Sequence, residues 1–249
     1  NFISGCIFMA IMGLVLYSTM ALASPYLQNV IGYPIMTAGL LLATRGAGTF
    51  VAMMLVGRLM KYLEARTLIA SGMLLMSVSL YFMTQWTDQT GVSTIVVISI
   101  AQVFGLGLVF VPLSTVSFLT LPNELRTDGT AMLTLMRNVA SSIGISVVIA
   151  KLTSGGRESY AILNEHVTPF NQAMQMPDVA GILNMTTDSG RAIMDVLITT
   201  QAQIIAFSHD YQMVMVVTLC AIPLAMMIGS TKVALRQQSQ GSDHAAVID

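Results

Sequence analysis

The residues best placed to carry polar chemistry are charges set in apolar surroundings. Arg45, within Thr44-Arg45-Gly46-Ala47-Gly48-Thr49, and Arg137, within Met136-Arg137-Asn138, each interrupt a hydrophobic run. A charge at mid-bilayer costs at least ~2.5 kcal/mol, so each should face a bundle interior or a watery cavity. Two roles are open to them: bonding helix ends or backbone carbonyls, or contacting a substrate or coupling ion. Thr130, Thr134, Asn138 and Ser141 repeat at spacings of three, four and seven and read, with Arg137, as a polar stripe that should avoid lipid. Gln102 and Asp210 are the next candidates. Asp210 reads first as a solvated acid at the outer interface, and otherwise as a partner for an arginine or a proton carrier. No other carboxylate lies inside an apolar run, and an arginine cannot titrate in proton coupling by itself.

Other chemistries lack their residues. The sequence holds no GxxxxGK[ST], HExxH, GxSxG or GxGxxG motif, which removes phosphate cradles, zinc sites and serine nucleophiles; no catalytic residue and no metal ligand set is expected. His166, His209 and His244 are widely scattered, and Cys6 and Cys220 stand far apart in apolar stretches, where they read as small buried hydrophobes. The net charge of -1 gives no basic face for nucleic acid.

The positioning elements follow from composition. Of 249 residues 55% are hydrophobic and 9% charged, with a mean hydropathy of +0.75. So few charges cannot solvate a water-soluble body of this size, and a bilayer is the implied solvent. Six apolar stretches are long enough to cross ~30 Å of hydrocarbon as helices: about 2–24, 37–60, 67–86, 92–119, 128–152 and 204–227. Pro112 and Pro223 fall inside spans and predict kinks. Arg58, Lys61, Arg66, Arg126, Lys232 and Arg236 all mark one side, which the positive-inside rule makes cytoplasmic. Both ends of the chain should therefore be cytoplasmic, with Trp86 and Tyr33 at the outer interface.

A connection over 153–203, polar and lying outside, is long enough to suggest a function. Ala173 to Met185 should form short surface helices, and the stretch from Arg191 an extension of the sixth span capped by Ser189. The tail 233–249 is polar and should be cytoplasmic. Gly5, Gly13, Gly39, Gly46, Gly48, Gly105, Gly107 and Gly144 should permit close helix contact. The twenty methionines, among them Met9, Met12, Met20, Met53 and Met54, either fill space or line a site tolerant of many apolar shapes. The opening Asn1-Phe2-Ile3, without initiator Met or signal-peptide character, suggests a piece of a longer protein.

Several stretches together resemble one family. These are Tyr26-Leu-Gln-Asn-Val-Ile-Gly-Tyr33 with Thr37-Ala-Gly39, Gly57-Arg-Leu-Met-Lys61, Phe110-Val-Pro-Leu-Ser-Thr115 leading into Leu121-Pro-Asn-Glu-Leu125, and Arg137-Asn-Val-Ala-Ser-Ser-Ile-Gly144. With six spans and a long outer loop before the last, the chain resembles the C-terminal half of an EmrB/QacA-type, fourteen-helix drug:proton antiporter of the major facilitator superfamily. In that family's loop motif, Gly57 matches and Arg66 supplies the basic end, but Lys61 stands where an Asp is usual and Glu64 where a second Gly is usual. The motif's gating salt bridge therefore does not carry over.

The resemblance implies an all-α membrane fold, a six-helix bundle over 1–232 built from two inverted three-helix repeats. It implies that the first and fourth spans face a central cavity, making Met9, Tyr17, Gln102 and Phe110 lining candidates with Arg137 on the same wall. Arg45, Arg137, Asn138 and Asp210 are then buried polar or coupling candidates, and Gly57, Arg58, Lys61 and Arg66 the cytoplasmic loop motif. It further implies export of amphipathic or apolar drugs by alternating access, without a cofactor and powered by a proton gradient, in a bacterial inner membrane. The partners implied are lipid, the N-terminal half with its acidic residues, and a periplasmic adaptor on the outer loop. Two competing readings stand beside it: a carrier of one metabolite, and a non-transporting membrane subunit.

Overall fold

The computed structural model describes residues 2–119, 123–166 and 187–226. Among the described residues there is no strand, and six helices are long and apolar enough to cross a membrane. They are α1 (Phe2–Pro25), α2 (Ile35–Leu59), α3 (Ala65–Thr84), α4 (Val92–Leu119), α5 (Arg126–His166) and α6 (Asp188–Met226).

Local chemistry sets the helix ends. Past Pro25, α1 widens into a π-helical turn over Tyr26–Val30, with Ile31 N–H donating to the Tyr26 carbonyl at 3.2 Å. Gly32 then takes φ 80°, a conformation that costs a residue without Cβ little, and the chain turns into Pro34 ahead of α2. Pro112 leaves α4 without one backbone donor, and beside it the hydroxyls of Ser114 and Thr115 both donate to the Val111 carbonyl, at 2.9 and 3.0 Å.

The packing order relates the two halves of the chain. α1 lies along α5 and α2 along α4, so the second helix of each three-helix unit packs on the first helix of the other. Exchanging α1 with α4, α2 with α5 and α3 with α6 interconverts these two pairings and also maps α3–α4 onto α1–α6. This is the packing expected of two related repeats. α5 also packs on α6, whereas α2 has no comparable hold on α3.

Small residues make the tightest crossings. A Cβ on Gly72 would lie 2.7 Å from the Gly105 carbonyl oxygen, and one on Gly105 would lie 2.7 Å from the Gly72 carbonyl oxygen, so α3 and α4 touch backbone to backbone. Gly13 and Gly144 serve α1–α5 in the same way, Gly13 against Arg137 and Gly144 against Leu14 and Ser18. Gly39 and Gly46, expected to permit close contact, face open space because α2 is covered on one side only. The methionines also divide: Met9 and Met12 are buried in the core, while Met20, Met53 and Met54 are exposed on the bundle surface.

α5 and α6 differ most from expectation. At 41 and 39 residues each is about 60 Å long, twice the hydrocarbon thickness. The described residues of the connection over 153–203 are thus almost all helical, with α5 continuing to His166 and α6 beginning at Asp188. The Tyr160 hydroxyl ties the two extensions by donating to Asp195 Oδ1 at 2.5 Å. Thr187, not Ser189, caps α6: its Oγ1 accepts from Gly190 N–H at 3.2 Å. The amphipathic stretch Ala173 to Met185 and the tail 233–249 lie outside the described residues.

Candidate functional site

Two polar centres lie within the bundle. In the first, Arg45 follows Ile35 by ten residues and Gln102 follows Val92 by ten, with α2 and α4 starting at the same end. At 1.5 Å per residue both stand about 15 Å below that end, near the middle of the apolar layer, where they meet. Arg45 Nη2 donates to Gln102 Oε1 and, at 3.4 Å, to Thr19 Oγ1. Gln102 Nε2 donates to the same Thr19 oxygen at 3.3 Å, and the Thr19 hydroxyl is anchored on the Val15 carbonyl at 2.9 Å. Arg45 is 5% exposed, and Gln102 and Thr19 are fully buried, so α1, α2 and α4 are pinned by a polar knot.

The knot is incompletely satisfied. Arg45 Nη1 and Ser18 Oγ are buried without a hydrogen-bond partner among the described residues. So are the Tyr211 hydroxyl, which lies within electrostatic reach of Arg45, and both carboxylate oxygens of Asp210 beside it. Asp210 is 0% exposed, which corrects its reading as a solvated interfacial acid. The cause is local. Ser208, half a turn away, donates to the Thr84 carbonyl at 2.8 Å and holds the opposite side of α6 against α3, while Asp210 lies within electrostatic reach of Lys151 on α5. Phe207, Tyr211 and Val214 join the same buried core.

Trp86, just past the end of α3, is 4% exposed and packs against Tyr26, tilted, and Tyr211, edge-on, at ring-centroid distances of 5.3 and 5.8 Å. With Phe207 on the edge of Tyr26 at 5.5 Å, these rings close the bundle above the polar knot.

The second centre is a cavity of about 110 Å³ where α1, α4 and α5 diverge. Met9, Phe110 and Arg137 line it together with Ser114, Thr130 and Thr134. Arg137 is half-buried, its Nε enclosed without a partner, its stem pressed against the Gly13 position of α1. An arginine fork, three hydroxyls and apolar walls suit an amphipathic guest with a hydrogen-bond acceptor.

The stripe on α5 departs from expectation. Ser141 is buried, but Thr130 and Thr134 border the open cavity and Asn138 lies at the edge of the covered face, so all three are exposed. Asn138 is therefore not a buried polar residue within this chain. The apolar windows of α2 and α5 are each 22% buried, against 50% for α1, α3 and α4, so both helices present an uncovered face.

Of the four lining candidates, Met9 and Phe110 share the Arg137 cavity. Gln102, eight residues before Phe110 on α4 and so about 12 Å away, is enclosed in the Arg45 knot instead. Tyr17 is half-buried and belongs to neither centre. Gly57, Arg58 and Lys61 are exposed where α2 ends, and Arg66 is half-buried in the first turn of α3. Thr19, Ser18 and Tyr211 are missing from the sequence-based candidates. A hydroxyl inside an apolar run was their only signal, and such residues usually bond their own helix. Among the described residues no three His, Cys, Asp or Glu side chains gather as metal ligands.

Known proteins place this geometry. The Major Facilitator Superfamily profile matches residues 2–156. The chain is 31% identical to the "Lincomycin resistance protein LmrB" of Listeria monocytogenes over 183 residues, 74% of this chain and 38% of that protein. It is 27% identical to the "Multidrug export protein EmrB" of Escherichia coli K12 over 216 residues, 86% of this chain and 42% of that protein. The match to the "Uncharacterized MFS-type transporter YhcA" of Bacillus subtilis is 32% over 139 residues, 56% of this chain and 26% of that protein. The chain thus spans about two fifths of the length of the first two relatives. It is a multi-pass membrane protein of the Major Facilitator Superfamily, related to multidrug-resistance transporters rather than to enzymes.

Proposed function

We propose that this chain is the C-terminal six-helix half of a multidrug exporter driven by the proton gradient. The observation that carries this reading is the uncovered face of α2 and α5, with the Arg137 cavity beside it. A bundle complete in itself has no reason to leave Asn138, Thr134 and Thr130 on an open helix face, whereas a partner half packed there would enclose them. Similarity to LmrB and EmrB supports a drug as cargo and a bacterial inner membrane as the setting. The basic residues Arg58, Lys61, Arg66 and Arg126 support an orientation with both chain ends in the cytoplasm and the α5–α6 extensions outside. Those extensions offer a surface for a periplasmic adaptor.

In this mechanism the two halves rock about the substrate, opening the Arg137 cavity first inward and then outward. Met9 and Phe110 give it adaptable apolar contact, and Arg137 supplies the one strong donor. The Arg45–Gln102–Thr19 knot holds α1, α2 and α4 as one rigid wall during the motion. Asp210 is the carboxylate of this half suited to take a proton, because it is buried with no bond to hold it ionised. The remaining coupling acids belong to the N-terminal half, and no cofactor is needed.

The competing assignment, a carrier of one anionic metabolite, has one observation in its favour: a cavity small enough to be selective, with a single cation. Transport of structurally unrelated drugs in everted vesicles carrying the full-length transporter separates the two. Arg137→Ala should cut efflux of acceptor-bearing drugs at least tenfold, matching a charge-assisted hydrogen bond worth about 1.5–3 kcal/mol. Efflux of every drug unchanged by Arg137→Ala would remove the cavity from the substrate path.

A further inference from the structure

One cavity lies apart from both polar centres and has no place in the transport cycle above. It measures about 450 Å³, within the ~300–1,000 Å³ usual for small-molecule sites, and opens between the end of α1 and the extensions of α5 and α6. Its floor is apolar: Pro25 from α1, Leu152 from α5, and Ala202 and Phe207 from α6. Its rim is polar, with Asn29, Thr199, Gln203 and Arg157. Arg157 is exposed and has no ion-pair partner among the described residues. The neighbouring acid Asp195 is occupied by the Tyr160 hydroxyl at 2.5 Å, which also fixes the Tyr160 ring as one side wall.

We propose that this cavity is a binding site for an amphiphile with an anionic head, its chain on the Pro25–Leu152–Ala202–Phe207 floor and its head on Arg157. Charge complementarity selects the head: among the described residues Arg157 is the only charged one lining the cavity, and its planar fork suits a carboxylate or phosphate. Shape selects the tail, because the apolar floor runs inward from the arginine between three helices. Two sources share this chemistry, the phosphate head of an anionic lipid and a free carboxylate amphiphile. Gly156 supplies a test that spares the fold. It lies in α5 and lines the cavity, and a Cβ placed there meets nothing within 4 Å, so a larger side chain fills the site without displacing a helix.

The experiment is photolabelling of the full-length transporter in phosphatidylcholine nanodiscs with a diazirine-bearing dodecanoate, followed by peptide mapping. Labelling should concentrate on 149–160 and 199–207, and excess dodecanoate should compete it away while dodecyltrimethylammonium, with the same chain and opposite charge, does not. Gly156→Leu should reduce the labelling at least tenfold, and Arg157→Gln should weaken it several-fold, with helix content by circular dichroism unchanged in both. Arg157→Lys, which keeps the charge, should restore part of it. Competition by phosphatidylglycerol added to the nanodiscs would identify lipid as a source; its failure, with dodecanoate still competing, would identify a free amphiphile. Labelling spread over the lipid-facing helices, equal competition by the cationic amphiphile, or labelling undiminished in Gly156→Leu would overturn the proposal. The transport activity of Arg137→Ala bears on the export reading alone, so the two can fail independently.

Discussion

Replacing Gln102 with Leu should strand a buried charge. Gln102 accepts from Arg45 and donates to Thr19 at 3.3 Å, and all three side chains lie in the core of the bundle. A hydrogen bond to a charged group contributes about 1.5–3 kcal/mol and a neutral one about 1, so Gln102→Leu should destabilise the bundle by roughly 3 kcal/mol. Most of that loss is the cost of an arginine left without its acceptor, which makes it recoverable. Arg45→Met alone should cost only about 1–2 kcal/mol, because it removes the charge along with the bond. Once either partner is gone the second change should cost little, so the double variant should retain most of the stability of Arg45→Met. The double-mutant cycle should therefore give a coupling of about 3 kcal/mol. Equilibrium unfolding of the full-length transporter in mixed micelles measures all four corners. Additive losses, with a coupling below about 0.5 kcal/mol, would refute the knot as a unit holding α1, α2 and α4.

Two further outcomes follow from the packing. Gly105→Ala should destabilise the α3–α4 crossing by about 1–3 kcal/mol, since its Cβ would lie 2.7 Å from the Gly72 carbonyl, whereas Gly46→Ala, facing open space, should stabilise α2 by up to about 1 kcal/mol; thermal unfolding of the pair distinguishes them. Cysteine at Asn138 should react with a maleimide in the isolated chain, where Asn138 is exposed. In the full-length transporter it should react only in the substrate-accessible state, and equal labelling in both would remove the packed partner half.

Much of the fold was legible because hydropathy alone locates membrane helices. The meeting of Arg45 and Gln102 was nearly so: each stands ten residues from the start of its helix, and the starts share one end, so equal depth could be counted off. What could not be counted was azimuth. Gln102 and Phe110 sit on one helix, yet one faces a closed knot and the other a cavity, because α1 and α2 cover α4 differently along its length. Asp210 misled for the same reason: its polarity suggested water, while the packing of α6 between its neighbours leaves it 0% exposed. The α5 and α6 extensions were obscured by their polarity, which a hydropathy count takes for loop.

The proposed exporter is proton-driven, with this bundle as one half and the buried carboxylate of Asp210 taking part. Its most direct test is proton movement on adding drug to full-length transporter in proteoliposomes, comparing wild type with Asp210→Asn. The asparagine keeps the shape of a side chain that makes no hydrogen bond in the structure, so folding should be preserved. Wild type should release protons in proportion to drug transported, and Asp210→Asn should bind drug with unchanged affinity while the proton signal falls by at least half. A wild-type signal of zero would contradict proton-driven export, and an undiminished signal from Asp210→Asn would contradict the place of Asp210 in it.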